Sequence, residues 1–315
     1  MALVKDPNNI RLGIIGMTEG NGHPYSWSAM FNKFDREAMP KECPFPVIPV
    51  YLAKEDYDTM GIPGAHMDFI ACNDRRDAEH VARLSLIPNV LDKPEEMIGK
   101  IDAVIIATDI GSEHVQRAKP FIEAGLPIFI DKPLCDNRKD LEYFTRLFEE
   151  GYPLLSSSSM RFCKDFAVYH GRNFRELGEL RLIEYGMPKK WETYGIHSLE
   201  AIYPIIGPGF ESVVNTGSFK RNIVHLKHKC GADVILTGIY DCGGDGTLLL
   251  AGTGGSIRLS TRDSYNSFRS QLVAFVDFLK TGKRPFPWSE TVELMKLVIA
   301  GIESREQGGK EIRIW

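Results

Sequence analysis

The stretch from Ile101 to Leu134 contains Lys132, the residue whose position points most directly to chemistry. Two short apolar runs, 101–108 and 127–130, are typical of parallel strands that are buried on both faces. The amphipathic segment 112–124 between them predicts the helix of a right-handed crossover. Ligands of open α/β sheets bind beyond the carboxyl ends of the strands. Lys132, directly after the second strand, is therefore expected to meet a ligand.

A glycine-rich segment follows the first predicted strand and matches a phosphate-binding loop only in part. A dinucleotide site uses GxGxxG, because glycines let the backbone turn tightly and approach a pyrophosphate at a helix N-terminus. With Gly16 as the first glycine, Thr18 replaces the second. With Gly20 first, Gly22 fits but the third glycine is missing. Pro24 suits the first turn of a helix, so amide donors at the end of this loop are expected to bind pyrophosphate.

The second predicted strand, 67–73, is followed by Asp74. An acidic residue in this place accepts hydrogen bonds from an adenosine ribose and repels a 2′-phosphate, which favours NAD as the cofactor. Arg75 and Arg76 follow directly and could instead bind such a phosphate. NADP therefore remains an alternative.

Several separated motifs resemble the Gfo/Idh/MocA family, which is named after glucose-fructose oxidoreductase and inositol dehydrogenase. They are IDAVIIAT with His114 following, AGLPIFIDKPL with Asp for the Glu of the family's EKP motif, Met160-Arg161-Phe162, GGSI at 254–257, and the tail from QLVAFVDFLKTGKRPFP to ESREQGGKEIRI. The resemblance implies a Rossmann-type nucleotide-binding domain followed by an α+β domain. It also implies hydride transfer between NAD(P) and a secondary hydroxyl or keto group of a sugar-like or cyclitol-like molecule.

The resemblance also assigns roles to residues. Lys132 matches the lysine that lies between nicotinamide and substrate hydroxyl, and His197 matches the histidine that works with it. An imidazole, with an intrinsic pKa of about 6.5, can take the hydroxyl proton as hydride leaves carbon. Asp131 is expected near the nicotinamide ribose, and Thr108 and His114 beside the cofactor.

One position of this site departs from the family pattern. Many active members carry Asp four residues before the histidine, where this chain has Thr193, and Glu200 stands where an Asp often follows. Glu192 or Tyr194 could replace the missing carboxylate, or Lys132 could act alone as the acid and base.

Substrate contacts are expected from polar groups that bond hydroxyls and from aromatic faces that cover the C–H side of a sugar. The candidates are Arg161, Lys189, Trp191 and Tyr194. Two further functions stay open. One is a catalytically inactive relative that acts as a sensor or assembly subunit, to which the incomplete glycine loop points. The other is a lyase or hydrolase that uses transient oxidation.

The predicted architecture is α/β in two domains. Residues 1–155 form the nucleotide-binding domain, a parallel sheet with a proline-rich insertion at about 35–65. The prolines favour an irregular loop over regular helix, and this loop is expected to cover the ligand cleft or meet a partner subunit. Residues 156–315 form the substrate and oligomerisation domain.

The second domain is predicted as a largely antiparallel open sheet, because strand-like runs follow one another with little helix between them. Glycine pairs at 243–244 and 254–255 mark turns. Two closing helices are expected to pack back on the first domain. The open sheet is the expected contact of a homo-dimer or homo-tetramer.

The composition of the chain limits the classes of molecule that it is expected to bind. The chain has 38 basic and 42 acidic side chains, a net charge of −4, and no basic cluster, which argues against nucleic acid and for a small polyhydroxylated metabolite. No apolar run spans a bilayer and no signal-peptide core is visible, so a cytoplasmic protein without membrane contact is expected. Six cysteines without a CxxC pair predict reduced thiols. On a strand, His225 and His228 point to opposite faces, so no metal site is expected.

Overall fold

The computed structural model describes residues 1–243 and 246–315, which form two compact units. Unit 1 comprises Met1–Asp131, Tyr143–Ser156 and Phe268–Pro285. Unit 2 comprises Lys132–Glu142, Ser157–Ser267 and Phe286–Trp315. One boundary falls between Asp131 and Lys132. Gly244, part of a predicted turn, lies outside the described residues.

Unit 1 contains a six-stranded parallel sheet in the order β3-β2-β1-β4-β5-β6. This order is that of the doubly wound dinucleotide-binding fold. β4 and β5 are buried along their whole length, as their uninterrupted apolar sequences predicted. The strands are β1 (Ile10–Ile15), β2 (Ala65–Ala71), β3 (Asn89–Val90), β4 (Ala103–Ile106), β5 (Ile128–Ile130) and β6 (Leu154–Ser156). The predicted parallel sheet is confirmed.

The helices flank the strands in sequence and close the chain. They are α1 (His23–Asn32), α2 (Met39–Glu42), α3 (Val47–Leu52), α4 (Arg75–Leu84), α5 (His114–Glu123), α6 (Arg138–Glu149), α7 (Trp191–Ile206), α8 (Ser264–Thr281) and α9 (Trp288–Glu306). Short 3₁₀ turns lie at Tyr57–Thr59, Pro94–Met97, Gly111–Glu113, Ser159–Phe162 and Lys164–Tyr169. Within the described residues, no helix is both long and apolar enough to cross a bilayer.

The insertion at 35–65 is more regular than the sequence predicted. It contains α2, α3 and a 3₁₀ turn, so the expectation of an irregular loop is wrong here. Pro40 and Pro49 lie within the first turns of α2 and α3, where the missing N–H breaks no helical hydrogen bond. Burial of Ile48 and Leu52 holds α3 in place.

Unit 2 contains a seven-stranded sheet in the order β12-β11-β7-β10-β9-β8-β13. Every neighbouring pair is antiparallel except β7 with β10. The strands are β7 (Leu180–Pro188), β8 (Phe210–Asn215), β9 (Arg221–His228), β10 (Asp233–Ile239), β11 (Thr247–Gly252), β12 (Gly255–Ser260) and β13 (Ile312–Arg313). The predicted, largely antiparallel sheet is confirmed.

The helix α7 is a further element that the sequence did not predict. Thirteen of its sixteen residues are buried. A helix that is buried around its whole circumference has no solvent-facing polar stripe, and so it gives little amphipathic signal. Trp191, in its first turn, packs tightly: a Cβ on Gly195 or Gly301 would lie 2.6 Å and 2.4 Å from the indole.

The two closing helices belong to different units. Residues 268–281 of α8 lie in unit 1, where Phe275 contacts Phe129 of β5 at 5.4 Å between ring centroids. The helix α9 lies in unit 2, where Trp191 donates its indole N–H to the carbonyl of Val298.

Candidate active site

The glycine-rich loop of unit 1 runs from the end of β1 to Gly22, which precedes α1. The Asn21 N–H donates to the Thr18 carbonyl at 3.1 Å and closes a turn. Gly20 has a φ of 76°, a left-handed conformation that glycine adopts without strain. Glu19 lies at the exposed tip of this turn, away from the loop interior.

The amide donors predicted at the end of this loop are already bonded. The Asn21 side chain accepts from the His23 N–H at 2.9 Å, and Pro24 has no N–H. The next two amides of α1, those of Tyr25 and Ser26, donate to the Gly22 carbonyl at 3.1 and 3.3 Å. In this geometry the first amides of α1 therefore already have acceptors within the chain.

Asp131 ties the end of β5 to the start of α1. Its side chain is fully buried, and its Oδ2 lies 2.5 Å from His23 Nδ1 and 3.2 Å from Asn21 Nδ2. The His23 ring in turn stacks on Trp27 with centroids 4.4 Å apart. His23 could not be predicted as a site residue, because its position as the first residue of a helix gives no chemical signal in the sequence.

Thr18, Thr108 and His114 hold the neighbouring loops together. Thr18 donates its hydroxyl to Asp109 at 2.7 Å. His114 Nε2 lies 3.0 Å from the Thr108 carbonyl and 3.2 Å from its hydroxyl, and both residues are fully buried. Thr108 and His114 therefore brace the turn from β4 to α5.

Asp74 caps α4 instead of facing a ligand cavity. Its carboxylate accepts from the Arg76 N–H at 2.9 Å and pairs with the Arg76 guanidinium at 2.6 Å, which holds the pKa of Asp74 below its ordinary value. Arg75 pairs with Asp92 at 2.5 Å and with Glu79 at 2.8 Å. The capping role explains an acidic residue here without a ribose.

A cavity of about 420 Å³ opens beside the carboxyl ends of β1 and β2. Glu113 pairs with Arg117 at 2.7 Å, and Arg117 also donates to the Asn73 side chain at 3.2 Å. The cavity is lined by Ile15, Asn73, Pro94, Glu95, Glu113, Gln116 and Arg117. The position of Asp74 after the second strand predicted a ligand contact near this place. The residue that lines the cavity is Asn73, one position earlier.

In unit 2, Tyr194 brings together the two residues to which the resemblance gave catalytic roles. Lys132 Nζ lies 5.1 Å from the centroid of the Tyr194 ring. The His197 ring packs edge-on against the same ring at 4.8 Å. Lys189 also contacts it, with Nζ 4.5 Å from the centroid. Tyr194 and His197 lie three residues apart on α7, so one helical turn fixes their contact.

Ser158 anchors the imidazole of His197. Its hydroxyl lies 2.6 Å from His197 Nδ1 and accepts from the Met160 N–H at 3.1 Å. The Ser158 N–H donates to Glu200 at 3.3 Å. The role of Ser158 could not be predicted from the sequence, since no spacing rule connects a serine to a histidine 39 residues away.

Arg161 and Trp191, two of the four predicted substrate contacts, serve the interior instead. The Arg161 guanidinium bonds both Glu200 and Glu290, the latter at 2.6 Å. Burial raises the pKa of Glu200 above its ordinary value, and Arg161 opposes that rise. Trp191 is fully buried. Both are corrected to structural residues.

Glu192, one predicted replacement for the missing aspartate, pairs with Arg305 at 2.5 Å. The Glu192 carboxylate is thus paired with Arg305 and not with the imidazole of His197. The Nδ1 atom of that imidazole is hydrogen-bonded to Ser158. Tyr194, the other predicted replacement, contacts the His197 ring. Lys132, which could act alone as the acid and base, contacts Tyr194.

The two histidines of β9 are engaged in structural bonds. His225 pairs with Asp233 at 2.8 Å, and His228 bonds the carbonyls of Gly207 and Pro208. Within residues 1–243 and 246–315, no group of three or more His, Cys, Asp or Glu is arranged to hold a metal ion. All six cysteines are free thiols.

Comparison with known proteins identifies the N-terminal half directly. Residues 10–156 match the Gfo/Idh/MocA model, described as an oxidoreductase family with an NAD-binding Rossmann fold. The curated proteins gave no match.

Solved structures share the fold along nearly the whole chain. A putative myo-inositol dehydrogenase from Sinorhizobium meliloti is 15% identical, with a TM-score of 0.73 over 98% of this chain and 100% of that one. Myo-inositol 2-dehydrogenase from Lactobacillus plantarum gives the same four values. An Agrobacterium radiobacter oxidoreductase, solved with NAD⁺, L-tartaric acid and magnesium, is 15% identical with a TM-score of 0.72 over 97% and 98%. Residues 10–156 thus resemble the Gfo/Idh/MocA oxidoreductases in sequence, and the chain shares its fold with these solved structures along nearly its whole length.

Proposed function

We propose that this protein is an NAD-dependent oxidoreductase that transfers a hydride between nicotinamide and a secondary hydroxyl or keto group of a sugar-like or cyclitol-like polyol. The contact of Lys132 and His197 with one tyrosine ring carries the proposal, because it brings an ammonium and an imidazole to one place in unit 2. The inositol dehydrogenases that share the fold support this substrate class.

The cavity of unit 1 is the proposed adenosine site. Its volume of about 420 Å³ falls in the range of small-molecule sites, roughly 300–1,000 Å³. Glu95 and Glu113 supply carboxylates that accept hydrogen bonds from ribose hydroxyls and repel a 2′-phosphate, which favours NAD over NADP. Because the first amides of α1 are bonded, the pyrophosphate is proposed to lie along Gly16–Gly20 instead.

When bound, the nicotinamide accepts or returns the hydride. Lys132 orients the reacting oxygen and stabilises negative charge that develops on it. His197 exchanges the hydroxyl proton through Nε2 while Ser158 holds Nδ1. To take up that proton, Nε2 must carry no hydrogen, so Nδ1 carries it and donates to the Ser158 hydroxyl oxygen both before and after the proton arrives. Ser158 thus takes over the anchoring that a carboxylate at position 193 would give.

Cofactor titration followed by thermal unfolding and turnover tests the proposal. We expect NAD(H) to raise the Tm, as mass action requires for a ligand bound only by the folded state, and to bind at least about ten-fold tighter than NADP(H). Glu113→Gln should reduce that preference, since it removes a cavity carboxylate and releases Arg117. Glu123→Gln, at the opposite end of α5 from Glu113 and outside the cavity lining, is the matched control. Nicotinamide absorbance with a panel of inositols and sugars then reports turnover.

A second candidate function is a family relative that does not turn over substrate. The bonded amides at the start of α1 favour it, because they remove the usual pyrophosphate donors. Absence of any Tm change with all four nicotinamide cofactors would support this candidate and contradict the first.

A further inference from the structure

Two elements of unit 2 each carry two polar side chains at the same spacing. Ser158 directly precedes the 3₁₀ turn Ser159–Phe162, and Arg161 lies within that turn. His197 and Glu200 lie three residues apart on α7. Residues with this spacing lie on one side of a helical turn. The 3₁₀ turn and the helix can therefore meet through two pairs of side chains.

Hydrogen bonds connect the two elements at both places. The Ser158 hydroxyl bonds His197 Nδ1 at 2.6 Å. The Arg161 guanidinium donates from Nε to the carboxylate of Glu200. The other oxygen of that carboxylate accepts from the Ser158 N–H at 3.3 Å. Glu200 thus bonds both polar residues of the turn, one of which holds the imidazole.

Burial restricts the positions that the Glu200 carboxylate can take. The side chains of Arg161 and Glu200 are 8% and 3% exposed, so water does not replace either charge as a partner. A buried charge that loses its partner is strongly destabilised. Glu200 is therefore held against Arg161, and its second oxygen holds the backbone of Ser158.

Glu290 of α9 provides a second carboxylate on the same guanidinium. It accepts from Nη1 of Arg161 at 2.6 Å, and its side chain is 23% exposed. In the described part of the chain, Ser158 is hydrogen-bonded to Glu200 and has no such bond to Glu290. The two carboxylates share an arginine but differ in their contact with the serine.

We infer that Glu200 is a positioning residue for proton exchange at His197. With Arg161 it fixes Ser158, and Ser158 fixes the imidazole. This inference rests on the proposed function. Because a displaced acid or base slows the reaction more than it weakens binding, loss of Glu200 should lower kcat while KM and NAD affinity change little.

Steady-state kinetics of matched variants test the inference with the full chain, NAD(H) and a polyol that the wild type turns over. Glu200→Gln has only one acceptor oxygen, so it can bond Ser158 or Arg161 but not both. It should lower kcat by at least about five-fold, with KM and NAD affinity within about two-fold of the wild type. Glu290→Gln should leave kcat within about two-fold, because Glu200 still bonds the arginine and the serine.

A double variant distinguishes positioning from a merely structural role. If Glu200 acts through the serine hydroxyl, its effect disappears once that hydroxyl is removed. Ser158→Ala combined with Glu200→Gln should therefore have a kcat within about two-fold of Ser158→Ala alone, whereas independent effects would multiply. If Glu200→Gln does not fold, Glu200→Asp replaces it in both measurements. Aspartate keeps the charge beside Arg161 but is too short to bond Ser158 as well, so kcat should also fall.

The outcomes separate the inference from the proposed function. Equal kcat values for the Glu200 and Glu290 variants, or effects of Ser158→Ala and the Glu200 variant that multiply, overturn the inference alone. No turnover of any polyol and no Tm change with NAD(H) overturns the proposed function, and the inference with it.

Discussion

At the scale of single residues, the proposed chemistry depends on how the His197 ring is held in place. Lys132 could be placed from the sequence, because strand ends in a parallel sheet meet at one edge. Ser158 could not, since its bond to the imidazole depends on the packing of α7 against the segment after β6. Asp74 was predicted to bind a ribose but caps α4. Helix capping and ribose binding favour the same acidic residue at nearly the same place after a strand.

Removing the Ser158 hydroxyl tests the anchoring of the imidazole. Ser158→Ala should lower kcat by about ten-fold, toward the lower end of what acid–base residues contribute. It should also lower the free energy of unfolding by about 1–2 kcal/mol, because a buried partner is lost. Steady-state kinetics and urea unfolding measure both effects. Ser159→Ala, one residue away and also buried, is the control. Equal kcat values for the two variants would contradict the anchoring role.

At the scale of elements, the burial pattern of each strand or helix decided whether it could be predicted from the sequence. The strands of both units were predicted, since the alternation in unit 2 and the short uninterrupted apolar runs in unit 1 are both visible in the sequence. The helix α7 was not, because residues are buried around its whole circumference. The short helices of the insertion were hidden by prolines that helices tolerate in the first turn.

The end of β9 should make stability depend on pH through His228. Burial lowers the pKa of His228, whose Nε2 bonds the Gly207 and Pro208 carbonyls while Nδ1 accepts from the Cys230 N–H. The unfolded chain takes up a proton at about pH 6.5, above the folded value. The free energy of unfolding should therefore fall as pH drops from about 7.5 through 6.5, by at most about 1.4 kcal/mol per unit for this group.

Urea unfolding at pH 7.5 and 5.5 checks this dependence. His228→Gln should lose less stability than the wild type between the two values. His225→Gln, a more exposed strand position, should keep the wild-type slope. The same loss of stability in all three proteins would exclude His228 as a source of the pH dependence. His170, whose pKa burial also lowers, adds a background of the same sign.

At the scale of the whole molecule, the sequence predicted both sheets but not how the chain divides. A single domain boundary between residues 155 and 156 does not account for Phe268–Pro285. This segment belongs to unit 1, although most of unit 2 precedes it in the sequence. The open face of the unit 2 sheet carries apolar side chains, including Ile223, which is 50% exposed. We propose that this face joins subunits into a dimer or tetramer.

A charge on that face tests the assembly. Ile223→Glu should shift the protein toward the monomer in analytical ultracentrifugation, because it places a carboxylate in an apolar contact. Val50→Glu is the matched control, since Val50 is 58% exposed and lies in unit 1. A wild-type protein that sediments as a monomer at all concentrations would rule out the proposed contact.

The rate of hydride transfer under single-turnover conditions, with the cofactor saturating, tests the central claim most directly. Loss of a positioned acid or base typically costs about 10²–10⁴-fold. The pairing of Lys132 and His197 on one substrate oxygen predicts that Lys132→Met and His197→Gln each slow the transfer by at least about 10²-fold while NAD affinity changes little. A transfer rate within two-fold of the wild type in either variant would contradict it.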